Sequence, residues 1–195
     1  GGYSPRASSD GRREPEQAAI TLVRLADEAP GDLTLVALGP LTNVALACRL
    51  DPTFPQKIRH FTFMGGTISA LGNTKHVSAE FNLYCDPEAA HIVLSSFPEA
   101  TMLSWETTVG HPFTWEQYEA LTRLRTERAR FFRESTRLSA DLTRNQYKFP
   151  GFLLPDPLAM AITLDPALAV EVEQRHVTVE LAGTQTRGQT VIDYL

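Results

Sequence analysis

Cysteine is scarce, with only Cys48 and Cys85 in 195 residues. Two thiols do not build a disulfide scaffold in a chain of this size. No Cys-x-x-Cys occurs, which excludes a zinc ribbon or a thioredoxin-type redox motif. Both thiols are expected to be buried as small hydrophobes. Histidine is thin as well: His60, His76, His91, His111 and His176 form no i, i+4 pair, so a histidine-built zinc site is not expected. Long apolar runs are missing, and the longest are far too short to cross a bilayer as a helix. The opening Gly1-Gly2-Tyr3-Ser4-Pro5-Arg6 lacks the apolar core of a secretory signal, so the expected location is the cytoplasm. There is no cationic excess. Lys plus Arg number 18 against 23 Asp plus Glu, a formal charge of −5, which argues against nucleic acid or an anionic membrane as partner. The phosphate-loop, Gly-x-Gly-x-x-Gly and Gly-x-Ser-x-Gly signatures are all absent.

What is present reads as a globular chain, 43% hydrophobic and 21% charged, of a length that suits one domain or one domain with a small appendage. Residues 1–13 read as a loop and Pro15 as a helix start. Ala18, Ala19, Leu22, Leu25, Ala26 and Ala29 form a helical stripe stopped by Pro30-Gly31. Leu33–Leu38 reads as a strand covered on both faces, ended by Gly39-Pro40. Leu41–Leu50 is helical. Ile58–Met64 is a strand running into Gly65-Gly66, and a loop of about a dozen residues follows, long enough to suggest a functional loop. Asp86-Pro87-Glu88 starts a helix to Phe97, and Thr101–Trp105 is a strand. Thr114-x-x-Gln117 is a capping box opening two helices over 114–146. Their arginines read as a solvated face and Phe131 and Phe132 as core. Asp156-Pro157 starts a further helix. Ala169–Val172, His176–Leu181 and Thr190–Asp193 read as strands. Alternation of strands and helices predicts an α/β fold with an open, mainly parallel sheet flanked by helices. In such sheets ligands bind outside the carboxyl ends of the strands.

The stretch from Gly72-Asn73 to Asn82 carries the most chemistry. Glu80 and Asn82, at i and i+2, would share a side of an extended segment. A carboxylate accepts and a carboxamide both donates and accepts, so with Asn73 they could hold a vicinal diol such as that of ribose. The competing reading is a turn asparagine and a solvated glutamate. Asp156 is a second candidate: at the mouth of the sheet its carboxylate could bind a hard cation. Asp86-Pro87 and Asp165-Pro166 repeat the dipeptide, however, and spacing alone does not choose among them. A helix cap is the default for all three.

Several ordered blocks resemble the inosine-uridine preferring nucleoside hydrolases. They are TLVALGPLTNVALA (34–47), FTFMGG (61–66), GN (72–73) with AEFNLYCDPEAA (79–90), DPLAMAI (156–162) and the weaker VELAGTQTRGQTVID (179–193). The resemblance implies a Rossmann-like open sheet and hydrolysis of ribonucleosides to ribose and free base by a calcium-bound water. It implies Asp156 and the Leu38 carbonyl as calcium ligands, Asn73, Glu80 and Asn82 as ribose ligands, and Met64 and Phe81 in the pocket. It also implies a homo-oligomer, either dimer or tetramer. That family opens with an aspartate-rich strand of the form DxDxxxDD, which brings most of the calcium carboxylates and the general base. No Asp-Asp pair occurs here. The expectation is therefore a single, incomplete domain over 1–195, with the first strand missing, the C-terminus slightly short and activity impaired. A non-catalytic ribose-binding remnant and a degenerate structural domain are the alternatives. Purine-cleaving members place a histidine before the calcium aspartate. Pro155 stands there instead, leaving Tyr147 or His76 as candidates to assist the departing base.

Overall fold

The computed structural model describes residues 16–195. The loop expected over 1–13 and the helix start at Pro15 lie outside them. Proline and glycine set most element boundaries. Helix α1 (Ala18–Glu28) ends before Pro30-Gly31, and Gly31, at φ 78°, turns the chain into β1 (Leu33–Ala37). After Gly39-Pro40 comes α2 (Thr42–Leu50), then the single turn α3 (Phe54–Lys57) with Pro55 in its first turn, then β2 (Ile58–Met64). The short α4 (Phe81–Cys85) leads into α5 (Pro87–Ser96), whose cap is the Asp86 carboxylate accepting from Ala89 N. Strand β3 (Thr101–Leu103) and α6 (Trp105–Gly110) follow. Next come β4 (Phe113–Thr114), α7 (Trp115–Arg123), α8 (Glu127–Asp141), a π-helical turn (Leu142–Gln146) and β5 (Gly151–Phe152). The chain closes with α9 (Pro155–Leu164), a 3₁₀ turn (Pro166–Leu168), β6 (His176–Val179) and β7 (Thr190–Asp193).

The described residues form two compact units. One comprises the chain up to Thr108 together with Pro155–Leu195. In it β1, β2 and β3 form a parallel sheet in sequential order. Ala37 pairs with Phe63 and Met64 with Leu103, so all three strands end on one edge, just before Leu38, Gly65 and Ser104. Alternation along β2 divides its side chains between two layers. Phe61 and Phe63 face a core built with Ala26, Leu41, Val44, Ala90 and Val93 from the helices. Met64 faces the opposite side, against Leu103 and Ala159 of α9. Helices on both faces of a parallel sheet make this an α/β fold of the expected kind. Strands β6 and β7 form a separate antiparallel pair, with Val179 in the main core.

The second unit, Val109–Leu154, gathers Trp115, Tyr118, Phe132 and Phe152 into an aromatic cluster beside the β4–β5 ladder. Thr114 and Gln117 form the expected reciprocal capping box.

Five local expectations are corrected. Strand β1 is half-buried rather than covered on both faces, because among the described residues it is an edge of the sheet. Trp105 opens α6 instead of closing β3. Ala169–Val172 is not a strand: Val170 and Val172 are exposed, and apolar residues without a pairing edge gain nothing from extension. Cys48 is buried but Cys85 is exposed. Phe132 joins the aromatic cluster, whereas Phe131 points to solvent.

Phe63 is fully buried and stacks on Phe61 at 5.7 Å. Phe63→Ala should destabilise the protein by about 3–5 kcal/mol, read as a lower urea midpoint with an unchanged denaturant slope.

Candidate functional site

Met64 ends β2, and Gly65-Gly66 begins the long loop that returns at α4. Those glycines have no room for side chains of their own. A Cβ on Gly65 would lie 2.5 Å from Leu83 Cδ1 and 3.2 Å from Glu80 Oε2. Glu80 takes the extended N-cap conformation of α4 and is only 2% exposed. Its carboxylate accepts from Asn82 N (2.9 Å), Leu83 N (3.3 Å) and, across the loop, Gly66 N (3.1 Å). The solvated-glutamate reading therefore fails. Burial pushes the Glu80 carboxyl pKa up, the three backbone donors pull against that shift, and the nearby Asp156 charge adds to it.

Asn82 is not on an extended segment as expected; it sits in the first turn of α4, because Glu80 caps a helix rather than continuing a strand. The pairing survives by another route. Asn82 Nδ2 donates to the Met64 carbonyl at 3.0 Å, which fixes the amide orientation and leaves Oδ1 as acceptor. Asn73 is exposed, and its Oδ1 accepts from Phe81 N at 2.8 Å, between Glu80 and Asn82, which leaves Nδ2 as donor. The turn carrying Asn73 closes on itself through Asn73 N to the Ala79 carbonyl, and Gly72 has Ala79 O only 2.1 Å from any added Cβ. Glu80, Asn82 and Asn73 are thus tied into one patch, with spare acceptors and a spare donor. Met64 is buried beneath it, and Phe81 is exposed at its rim.

The three Asp-Pro dipeptides weighed above, at 86, 156 and 165, now separate. Asp86 caps α5 and Asp165 caps the 3₁₀ turn, each through a backbone N–H. Asp156 lies inside the first turn of α9 and caps nothing. Its carboxylate has no hydrogen bond or ion pair among the described residues, and burial pushes its pKa up. It is close enough to Glu80 to disfavour that group's ionisation. Leu38 follows β1 at the same edge of the sheet, and α9 packs on β1 and β2. Among the described residues no group of three or more His, Cys, Asp and Glu stands together. Pro155 is the first residue of α9, His76 packs its ring on Tyr84 at 5.1 Å, and Tyr147 is exposed after the π-helical turn of the 109–154 unit.

The buried Thr67 and Thr190 were not picked out from the sequence. Thr190 Oγ1 accepts from Thr67 N at 2.7 Å and donates to the Thr67 carbonyl, locking the start of the loop to β7. Nothing in the sequence pairs two threonines that far apart. An apolar hollow of about 400 Å³ lined by Ile20, Val23 and Leu50 contains none of these residues. No helix among the described residues is long and apolar enough to cross a membrane.

The family model described as inosine-uridine preferring nucleoside hydrolase matches residues 1–195, and the chain belongs to that family. An inosine-uridine preferring nucleoside hydrolase from Crithidia fasciculata is 33% identical over 92% of this chain and 56% of its own length. A pyrimidine-specific ribonucleoside hydrolase from Citrobacter koseri is 37% identical over 91% and 56%. Among solved structures, a plant nucleoside hydrolase superposes with a TM-score of 0.88 at 30% identity, covering 98% of this chain and 59% of that one. An inosine-guanosine nucleoside hydrolase gives 0.85 at 34% identity, covering 93% and 58%. The chain spans about half the length of the curated relatives it matches.

The upward shift at Asp156 sets a testable sign. A carboxyl that titrates above its ordinary 3.8 in the folded state contributes its full stability below that value and loses it as pH rises through the shifted one. Asp156→Asn should therefore be more stable than the parent near about pH 7 without added divalent cations, and indistinguishable near about pH 3. Urea midpoints at the two pH values measure this; a less stable variant at neutral pH would contradict it.

Proposed function

We propose that the Glu80–Asn82–Asn73 patch holds the sugar of a ribonucleoside, and that the protein serves hydrolysis of the N-glycosidic bond to ribose and free base, a step in nucleoside catabolism. The observation that carries this reading is the buried Glu80 carboxylate, fixed by three backbone N–H groups next to an oriented Asn82, with the unpartnered Asp156 carboxylate in its field. Hydroxyls of a vicinal diol each need a partner, and the spare lone pairs of Glu80 and Asn82 with the spare N–H of Asn73 supply them. Cleavage of a glycosidic bond builds positive charge on the sugar. Two carboxylates held in place before reaction stabilise that charge without reorganising. Membership of the nucleoside hydrolase family supports both the substrate class and the reaction.

Calcium takes roughly six to eight oxygen ligands. The described residues match it in kind but not in number, since they supply the Asp156 carboxylate and, at the same sheet edge, the Leu38 carbonyl. No step is derived through the metal. We propose calcium as the resident ion of the intact site and weak hydrolysis from these residues alone. Pro155 carries no titratable group, so the departing base is assisted from elsewhere. Nucleoside binding without turnover is the second reading, favoured by the absence of an acidic cluster among the described residues.

Uridine and inosine should each be incubated with the protein, with and without calcium, while ribose and base are followed by chromatography and binding by calorimetry. Binding that falls about tenfold to a hundredfold in Asn82→Leu supports the sugar patch. Base release that rises with calcium and disappears in Asp156→Asn supports hydrolysis. Binding without any base release selects the second reading, and neither binding nor release refutes both.

A further inference from the structure

Glu106 stands in the first turn of α6, three residues beyond the end of β3. It does not cap that helix, since Ser104 Oγ accepts from Thr107 N. Its carboxylate turns instead to the loop after β2. Oε1 accepts from Ile68 N (2.9 Å), Ser69 N (2.8 Å) and Leu71 N (3.2 Å), and Oε2 also receives Ile68 N at 2.9 Å. Between these donors Ala70 is held at φ 57°, a left-handed conformation that is strained for a residue with a Cβ. Converging backbone N–H groups around such a residue form an anion-binding concavity. Here the anion is the protein's own carboxylate.

The same segment is gripped from the other side, where Tyr194 donates its hydroxyl to the Ile68 carbonyl at 3.0 Å and Thr190 clasps Thr67. Immediately downstream, Gly72 N donates to the Val77 carbonyl and Asn73 N to the Ala79 carbonyl, and that turn delivers Asn73 Oδ1 to Phe81 N. Leu71, the last donor to Glu106, is two residues from Asn73.

We propose that Glu106 is a positioning residue of the sugar site: it holds the strained 68–71 backbone, and through it the turn that sets Asn73 beside Glu80 and Asn82. The sugar half of this inference rests on the ribonucleoside reading above. Charge-assisted bonds to three amides offset the strain at Ala70, and without them the turn relaxes. Asn73 then loses its place, while Glu80 and Asn82, held by β2 and α4, keep theirs.

The test compares Glu106→Leu and Glu106→Gln with the parent by amide hydrogen exchange and by titration with uridine, inosine and ribose. Glu106→Leu should speed exchange across 66–80 by about tenfold or more, while β2 and α5 keep their protection. Its dissociation constant for nucleoside should rise about tenfold. Glu106→Gln should recover most of both, because one carboxamide oxygen can replace Oε1 against all three donors. A merely structural role would shrink the binding-competent fraction at constant affinity. Unchanged exchange across 66–80 in Glu106→Leu overturns the proposal, as does a loosened loop with unchanged affinity. A parent protein that binds no ribonucleoside refutes the functional reading instead, and the exchange result still decides whether Glu106 holds the loop.

Discussion

A carboxylate buried at the end of a parallel sheet is the constraint around which this site is organised. An ionised group removed from water is tolerated only where its lone pairs are satisfied. Glu80 finds its donors on two elements, the N-terminus of α4 and the backbone at Gly66 just beyond β2. That requirement explains the two adjacent glycines, since side chains there would collide with Leu83, Met102 and Thr190. It also joins the sheet to α4, so the position of Asn82 follows from the burial of its neighbour. The loop between them is held at both ends by polar contacts that have little other purpose.

Asp156 is the counterpart with the opposite character. It reaches the same end of the sheet from α9, yet no donor meets it among the described residues. Burial raises both carboxyls, and the Asp156 charge makes that of Glu80 harder to hold. An arrangement of that kind lowers stability in the empty protein and becomes favourable when positive charge arrives.

Much of this was legible in the residues, and the gaps have physical causes. The strand runs at 33–38 and 58–64, the cap at Asp86 and the box at Thr114 follow from short-range rules that need no tertiary information. The family resemblance rested on ordered motif blocks between residues 34 and 193, and the family match supports it. The roles of the Asp-Pro dipeptides at 86, 156 and 165 were not legible, because capping and exposure depend on what faces the carboxylate. Glu80–Asn82 read as extended because Glu80 and Asn82 alternate with an apolar residue. Five residues are too few for helical periodicity to show, and only the capping contacts decide. Thr190 and Glu106 were invisible for a simpler reason. Their partners are main-chain atoms, which every residue carries, and no side-chain pattern records them.

The clasp between Thr67 and Thr190 spans 123 positions of sequence. The sheet, by contrast, pairs strands in the order in which they are synthesised. Contacts between neighbouring segments form early in folding, and those that close a long loop form late. The sheet and its helices can therefore condense while the loop after β2 is still loose, and docking of β7 completes its clasp. On a ribosome, the sheet would become compact well before the loop beside Glu80, Asn82 and Asn73 is held in place.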